Sequence, residues 1–169
     1  MPLKIIQADI TKMQVDAIVN AANVNLRMGG GVCGAIFAAA GADQLQEECN
    51  RIGKCPVGES VITKGYALLA RYIIHTVGPV WQGGSHNEAQ LLYNCYKNSL
   101  ELAKKHECRS IAFPLISTGI FGYPKEPAIH IAISAINEFL DTHEMEVYLT
   151  IYDEQTLMLA ERIFATFAE

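Results

Sequence analysis

The chain has 169 residues, half of them hydrophobic, which is enough apolar side chain for one sizeable core; it reads as a single domain over 1–169. A formal net charge of −5 excludes a protein held on nucleic acid by a broad basic surface, and no apolar run reaches membrane-spanning length. Five cysteines without a CxxC pair give neither a disulfide framework nor a structural zinc site. Reduced thiols, with a Met1 to Gln7 segment too short and too quickly polar for a signal peptide, predict a cytoplasmic protein.

Leu3 to Ala8 reads as a first strand, ended by Asp9-Ile10-Thr11-Lys12. Val15 to Val19 reads as a second, and Asn20-Ala21-Ala22-Asn23 leaves its end. Helical patterning follows from about Val32 to Ala40 and stops at Gly41; Ala42 to Arg51 is a further helix before Gly53. Glu59 to Gly65 reads as a short strand with a glycine turn, and Arg71 to Val77 as another strand, rich in β-branched and aromatic residues. Ser85 and Glu88 fit a capping box that opens a helix with Leu92, Tyr96, Ser99 and Ala103 on one face. Ser110 to Ile116 reads as a buried strand, Ile129 to Leu140 as an amphipathic helix, Val147 to Tyr152 as the last strand and Glu154 to Phe167 as the last helix. Strands alternating with helices predict an α/β fold, a three-layer α/β/α sandwich on a mixed, mostly parallel sheet.

Two segments carry the chemistry. Gly29-Gly30-Gly31 removes every β-carbon from a stretch of backbone, so its N–H groups can approach a ligand closely. A helix starting just after it adds unpaired N–H groups and the positive end of its dipole, which is how phosphate is held without lysine or arginine. The second segment, Ser117-Thr118-Gly119-Ile120-Phe121-Gly122-Tyr123-Pro124, likewise follows a strand and precedes a helix. Two such loops at the carboxyl edge of one sheet point to a pyrophosphate between them.

Gly29-x-Gly31-x-x-Gly34 matches the dinucleotide fingerprint, but Asn20 to Met28 separate it from its strand, and Glu47 and Glu48, the candidate ribose acids, lie in a helical stretch. An ordinary Rossmann site is therefore rejected. No Walker A sequence exists either, since Gly53-Lys54 lacks the earlier glycine.

Asp9-Ile10-Thr11, Val15 to Asn23, the GGGV loop, Cys55-Pro56-Val57-Gly58-Glu59, His75-Thr76-Val77-Gly78-Pro79 and Ile116 to Pro124 occur in this order. Together they resemble the macrodomain family, in particular its MacroD-like branch of O-acetyl-ADP-ribose deacetylases and protein ADP-ribose hydrolases. The resemblance implies ADP-ribose or ADP-ribosylated proteins as partners, with no metal and no cofactor. It implies that Asp9 accepts from the adenine amine beside the Ile10 backbone, and that Asn23 holds distal-ribose hydroxyls as the catalytic residue. Gly30, Gly31, Val32 and Cys33 would meet the diphosphate from one side, and Ser117, Thr118, Gly119, Ile120 and Phe121 from the other. Tyr152 would touch the adenine face. Asp9 as a turn cap and Tyr152 as a core aromatic are the plain alternatives. His75 reads as structural, while His86, His106, His130 and His143 are expected at solvent.

The chain departs from that branch at two positions. Cys33 stands where its hydrolases commonly carry an Asp, and Phe37 where they carry a His one helical turn on. Either the protein binds ADP-ribose without cleaving it, or chemistry persists with a substrate phosphate positioning the water. Loss of a general base costs about 10²–10⁴-fold, whereas positioning and electrostatic contributions survive. Cys33 reads as a small hydrophobe that suits a tight helix start and Phe37 as a packing residue; a Cys33 nucleophile and a Phe37 that narrows the ribose pocket are the alternatives.

Overall fold

The computed structural model describes residues 3–168; Met1, Pro2 and Glu169, the ends of the domain expected over 1–169, lie outside the described residues. Six strands form one sheet: β1 (Leu3–Gln7), β2 (Ala17–Ala21), β3 (Ser60–Lys64), β4 (Tyr72–Thr76), β5 (Ser110–Phe113) and β6 (Glu146–Ile151). Their spatial order is β1-β6-β5-β2-β4-β3, parallel throughout except for β3, which runs antiparallel to β4 at the edge. Among the described residues the five α-helices are α1 (Gly31–Ala40), α2 (Ala42–Ile52), α3 (Glu88–Lys105), α4 (Lys125–Leu140) and α5 (Glu154–Thr166), and a 3-10 turn spans Ile10–Lys12.

The central strands are apolar on consecutive positions because helices cover both faces. Ile18, Ile73 and Ala112 point to one side, where they pack with Ile36 and Phe37 of α1 and Leu45 and Cys49 of α2. Val19, Ile74, Ile111 and Phe113 point to the other, against Tyr96 and Leu100 of α3 and Ile129 and Ile133 of α4. The result is the mixed-sheet sandwich of three layers.

Several boundaries differ from the sequence reading for identifiable reasons. β2 begins at Ala17 rather than Val15, because Asp16 is drawn out of the strand. Its carboxylate accepts from the Arg109 N–H at 2.7 Å and its own N–H donates to Ser110 Oγ at 2.9 Å. Register with β4 then carries the strand through Asn20 and Ala21, opposite His75 and Thr76. β5 stops at Phe113 rather than Ile116; Pro114 has no N–H to offer, and the Ile116 N–H donates instead to Tyr96 Oη at 3.0 Å. Tyr152 falls just beyond β6.

The capping box does not form. Ser85 caps nothing, Asn87 holds the N-cap position with φ 65°, and the Glu88 carboxylate turns back to accept N–H groups of the preceding loop. His86 and His130 are exposed, but His106 and His143 are half-buried. Their Nδ1 atoms lie 3.0 Å from the Leu102 carbonyl and 3.1 Å from that of Phe139.

Candidate functional site

All five parallel strands end at the same edge. β2 lies between β5 and β4, and the chain leaves β2 through α1 and α2 on one face but reaches β5 through α3 on the other. The connections therefore diverge beside β2, and the crevice outside the carboxyl ends of β2 and β5 is where an α/β sheet takes its ligand.

One wall of this crevice is Ala22 to Gly30 and the first turn of α1. Asn23 folds the segment on itself: its Oδ1 accepts from the Arg27 N–H at 3.0 Å and its Nδ2 donates to the Arg27 carbonyl at 2.8 Å. Gly30 is the N-cap of α1, makes no side-chain cap bond, and is followed by no acidic residue in the first turn. The opening amides of a ten-residue helix thus have no side-chain cap. A β-carbon on Gly30 or on Gly31 (φ +55°) would meet nothing within 4 Å, so packing does not account for these glycines, although positive φ does favour one at position 31. Gly34 differs, because its β-carbon would fall 2.5 Å from the Gly29 carbonyl oxygen. Val32 is exposed; Cys33 is buried, and its thiol lies 3.7 Å from both the Arg27 carbonyl and Asn20 Nδ2.

The other wall is Ser117 to Tyr123. Gly122 donates to the Gly119 carbonyl at 3.0 Å and Tyr123 to the Ser117 carbonyl at 2.9 Å, which closes the loop into a compact turn. Thr118 Oγ1 donates to the Leu115 carbonyl at 3.2 Å. Ser117 has φ +69°, unusual for a residue with a β-carbon, and its buried Oγ has no hydrogen-bond partner among the described residues. Gly119 faces open space, Ile120 is 97% exposed and Phe121 is half-buried. A large apolar side chain presented this fully at a crevice rim is available to cover a ligand.

Farther along the same edge, Asp9 follows β1 and Tyr152 follows β6. Asp9 Oδ1 accepts from the Thr11 hydroxyl at 2.7 Å and from the Thr11 N–H at 3.0 Å, and these bonds hold its carboxyl below the usual carboxylate range. The turn-cap alternative is thus realised, and it leaves the second oxygen of Asp9 uncommitted in those bonds. The Ile10 side chain is in the core. Tyr152 is 93% exposed, which rules out a core aromatic; its carbonyl accepts from Gln7 Nε2 at 3.0 Å and ties the two strand ends together.

Behind the Asn23 wall runs a buried polar chain. Asn20 Nδ2 lies 3.0 Å from His75 Nδ1, and His75 Nε2 lies 3.0 Å from Thr63 Oγ1. Burial pulls the His75 pKa down to about 4, so the ring is neutral. Phe37 packs edge-on to that ring at 6.3 Å and is fully buried, which bears out a packing residue rather than the alternative of a side chain lining the ribose site. Gly78 and Trp81 carry no site signature in the sequence, and Glu88 is not the capping-box residue its spacing suggests. A Gly-Gly pair between the only tryptophan and a glutamate was the available signal.

The comparisons agree on one family. The family model described as "Macro domain" matches residues 19–132. A macro domain-containing protein of Chlorobaculum tepidum is 62% identical over 135 residues, covering 80% of this chain and 78% of that protein. A Citrobacter rodentium protein named O-acetyl-ADP-ribose deacetylase is 50% identical over 167 residues, with 95% and 94% covered. Among solved structures, the Oceanobacillus iheyensis macrodomain with ADP superposes with a TM-score of 0.94 at 40% identity, covering 98% of this chain and 91% of that one. A glycine variant of that macrodomain was solved with ADPR, and variants at an aspartate and an asparagine were solved as well.

Proposed function

The chain belongs to the macrodomain family, and from that premise we propose that its crevice binds ADP-ribose, free or attached to protein, and that the protein hydrolyses it from acidic side chains or deacetylates O-acetyl-ADP-ribose. The observation that carries this reading is the uncapped, glycine-opened start of α1 beside the closed turn Ser117–Tyr123. The amides of Gly31, Val32 and Cys33 take the diphosphate from one side and those of Ser117 to Phe121 from the other. Gly30 gives the ligand room to approach, and the α1 dipole adds to the attraction.

The strand order supports the rest of the assignment. From β1 to β2 there are three strand spacings, about 14 Å. Adenine lies at the β1–β6 end by Asp9, the Ile10 backbone and Tyr152, and the diphosphate between the β5 and β2 loops. The distal ribose falls to Asn23, with Phe121 and Ile120 over it. Asn23 is held at both ends of its amide by the Arg27 backbone, so its orientation is set before ligand arrives. The asparagine, glycine and aspartate replaced in the Oceanobacillus iheyensis variants are spaced seven and then three residues apart, as are Asn23, Gly30 and Cys33 here.

In the deacetylation, water oxygen bonds to the acetyl carbonyl carbon, the ester C–O bond to ribose breaks, and its electron pair and a proton pass to the ribose oxygen. In de-ADP-ribosylation, water oxygen bonds to the anomeric carbon, the bond from that carbon to the side-chain oxygen breaks with its electron pair leaving on the carboxylate, and the water's proton passes to solvent. No carboxylate is available at Cys33, so a substrate phosphate oxygen orients the water. The thiol is not a nucleophile in this scheme: its hydrogen-bond partners are Asn20 and the Arg27 carbonyl, and neither is a base or a cation.

Cys33 and Phe37 favour one alternative, a reader that binds ADP-ribosylated protein without cleaving it. Incubation with O-acetyl-ADP-ribose, and separately with Glu/Asp-ADP-ribosylated protein, distinguishes them. Release of acetate or ADP-ribose supports the hydrolase; saturable binding without turnover on either rejects it. We place the protein in the cytoplasm, where its five unpaired cysteines would stay reduced, and read 1–169 as one domain.

A further inference from the structure

Glu88 is a carboxylate 1% exposed, and no cation pairs with it among the described residues. Its partners are backbone N–H groups. Oε2 accepts from Gln82 at 2.8 Å and Gly84 at 3.0 Å, and Oε1 accepts from His86 at 2.6 Å. Burial pushes its pKa up, but the amides of Gln82, Gly84 and His86 outweigh this and bring it to about 2. One side chain therefore organises the whole Gln82–Asn87 segment, in which Gly83, Gly84 and Asn87 all have positive φ.

That segment leans on the phosphate-side loop. A β-carbon on Gly84 would fall 3.0 Å from the Trp81 ring, so the indole rests directly on the backbone that Glu88 holds. Trp81 also packs against Tyr123 with ring centroids 4.7 Å apart, and the Trp81 backbone N–H donates to the Phe121 carbonyl at 2.8 Å. Tyr123 in turn donates to Ser117. The contacts from carboxylate to loop are continuous.

We propose that Glu88 is a positioning residue for the diphosphate-binding turn Ser117–Phe121, acting through the Gln82–Asn87 segment and Trp81. The proposal rests on the function assigned above only for the identity of the ligand. Glu88 itself touches no ligand. It fixes the place of the Phe121 carbonyl, and with it the direction of the neighbouring amides.

The test uses Glu88→Gln, which keeps the size but sets an NH₂ against N–H donors, and Leu100→Ala, a buried change farther along the same helix. Amide hydrogen exchange is measured without ligand, and ADP-ribose affinity by calorimetry. Glu88→Gln is expected to speed exchange at Trp81, Gly122 and Tyr123 about tenfold or more, leave the amides of β2 and β5 unchanged, and weaken ADP-ribose about tenfold. Leu100→Ala lowers the melting temperature but keeps affinity within about twofold. Trp81, the single tryptophan, reports the same loosening as a red-shifted emission. Unchanged exchange at Trp81 in Glu88→Gln overturns the proposal, as does a loosened turn with wild-type affinity. Should Glu88→Gln not fold, Glu88→Asp keeps the charge but shortens the reach to the Gln82, Gly84 and His86 amides, with the same expected pattern and the same contrary outcomes. A wild-type protein that gives no heat with ADP-ribose refutes the ligand assignment, while the exchange data still decide whether Glu88 holds the turn.

Discussion

Gly78 and Ser117 are in such close contact that a β-carbon on the glycine would fall 2.1 Å from Ser117 Oγ and 2.6 Å from Ile116 Cγ2. The loop after β4 thus sets how far the loop after β5 can retreat. Gly78→Ala has no space to enter without moving Ser117, whose backbone already occupies an unusual conformation. We expect it to cost about 1–3 kcal/mol of stability, the range for overpacking a tight site, and to weaken ADP-ribose at least tenfold. Urea melts and calorimetry check both; wild-type affinity in a folded Gly78→Ala contradicts the contact's role.

His75 makes acid stability a second test. Its pKa falls from 6.5 to about 4 on folding because burial disfavours the charged ring. The unfolded chain therefore binds more protons between these values, so stability is full above pH 6.5 and falls as pH drops toward 4. The contribution is about 3 kcal/mol at 1.36 kcal/mol per unit. Asp9, Glu88 and Asp153 have lowered carboxyl values, so their contributions are lost only below the ordinary carboxylate range. Urea melts between pH 7 and pH 5 should thus show a slope that His75→Gln flattens. An unchanged slope in that variant sinks the assignment.

At Cys33 two substitutions separate the roles. Cys33→Ala should leave turnover within about twofold, since nothing bonded to the thiol activates it. Cys33→Asp places a carboxylate in the first turn of α1, where the helix dipole favours it, and should raise turnover by about 10²-fold or more if water activation limits the rate. A dead Cys33→Ala contradicts the scheme.

Asn23→Ala removes both bonds to Arg27 together with the proposed ribose contact. Steady-state and binding measurements should show turnover down about 10²-fold and affinity down less than tenfold. Equal losses make Asn23 a plain binding residue.

Much of this was readable from residue patterns. The 3.6-residue periodicity of Leu92, Tyr96, Ser99 and Ala103 gave α3 its buried face, and the two glycine segments fell at one sheet edge because a parallel sheet puts all such turns there. What failed was tertiary. Ser85-x-x-Glu88 has the letters of a capping box, but the carboxylate found three amides of its own loop. Asp16 left β2 for Arg109, a partner distant in the chain, and Trp81 reached Phe121 across two loops. No local period encodes such contacts. The half-burial of His106 and His143 against Tyr72 and Phe139 belongs to the same class.

The most direct measurement is calorimetric titration of the folded chain with ADP-ribose at low and at physiological salt. With the diphosphate held by amides rather than lysine or arginine, as proposed, saturation is expected at one ligand per chain with an affinity that changes little between the two conditions. No heat and no saturation would contradict the two-walled cleft itself, and a steep loss with salt would move the anion onto cationic side chains.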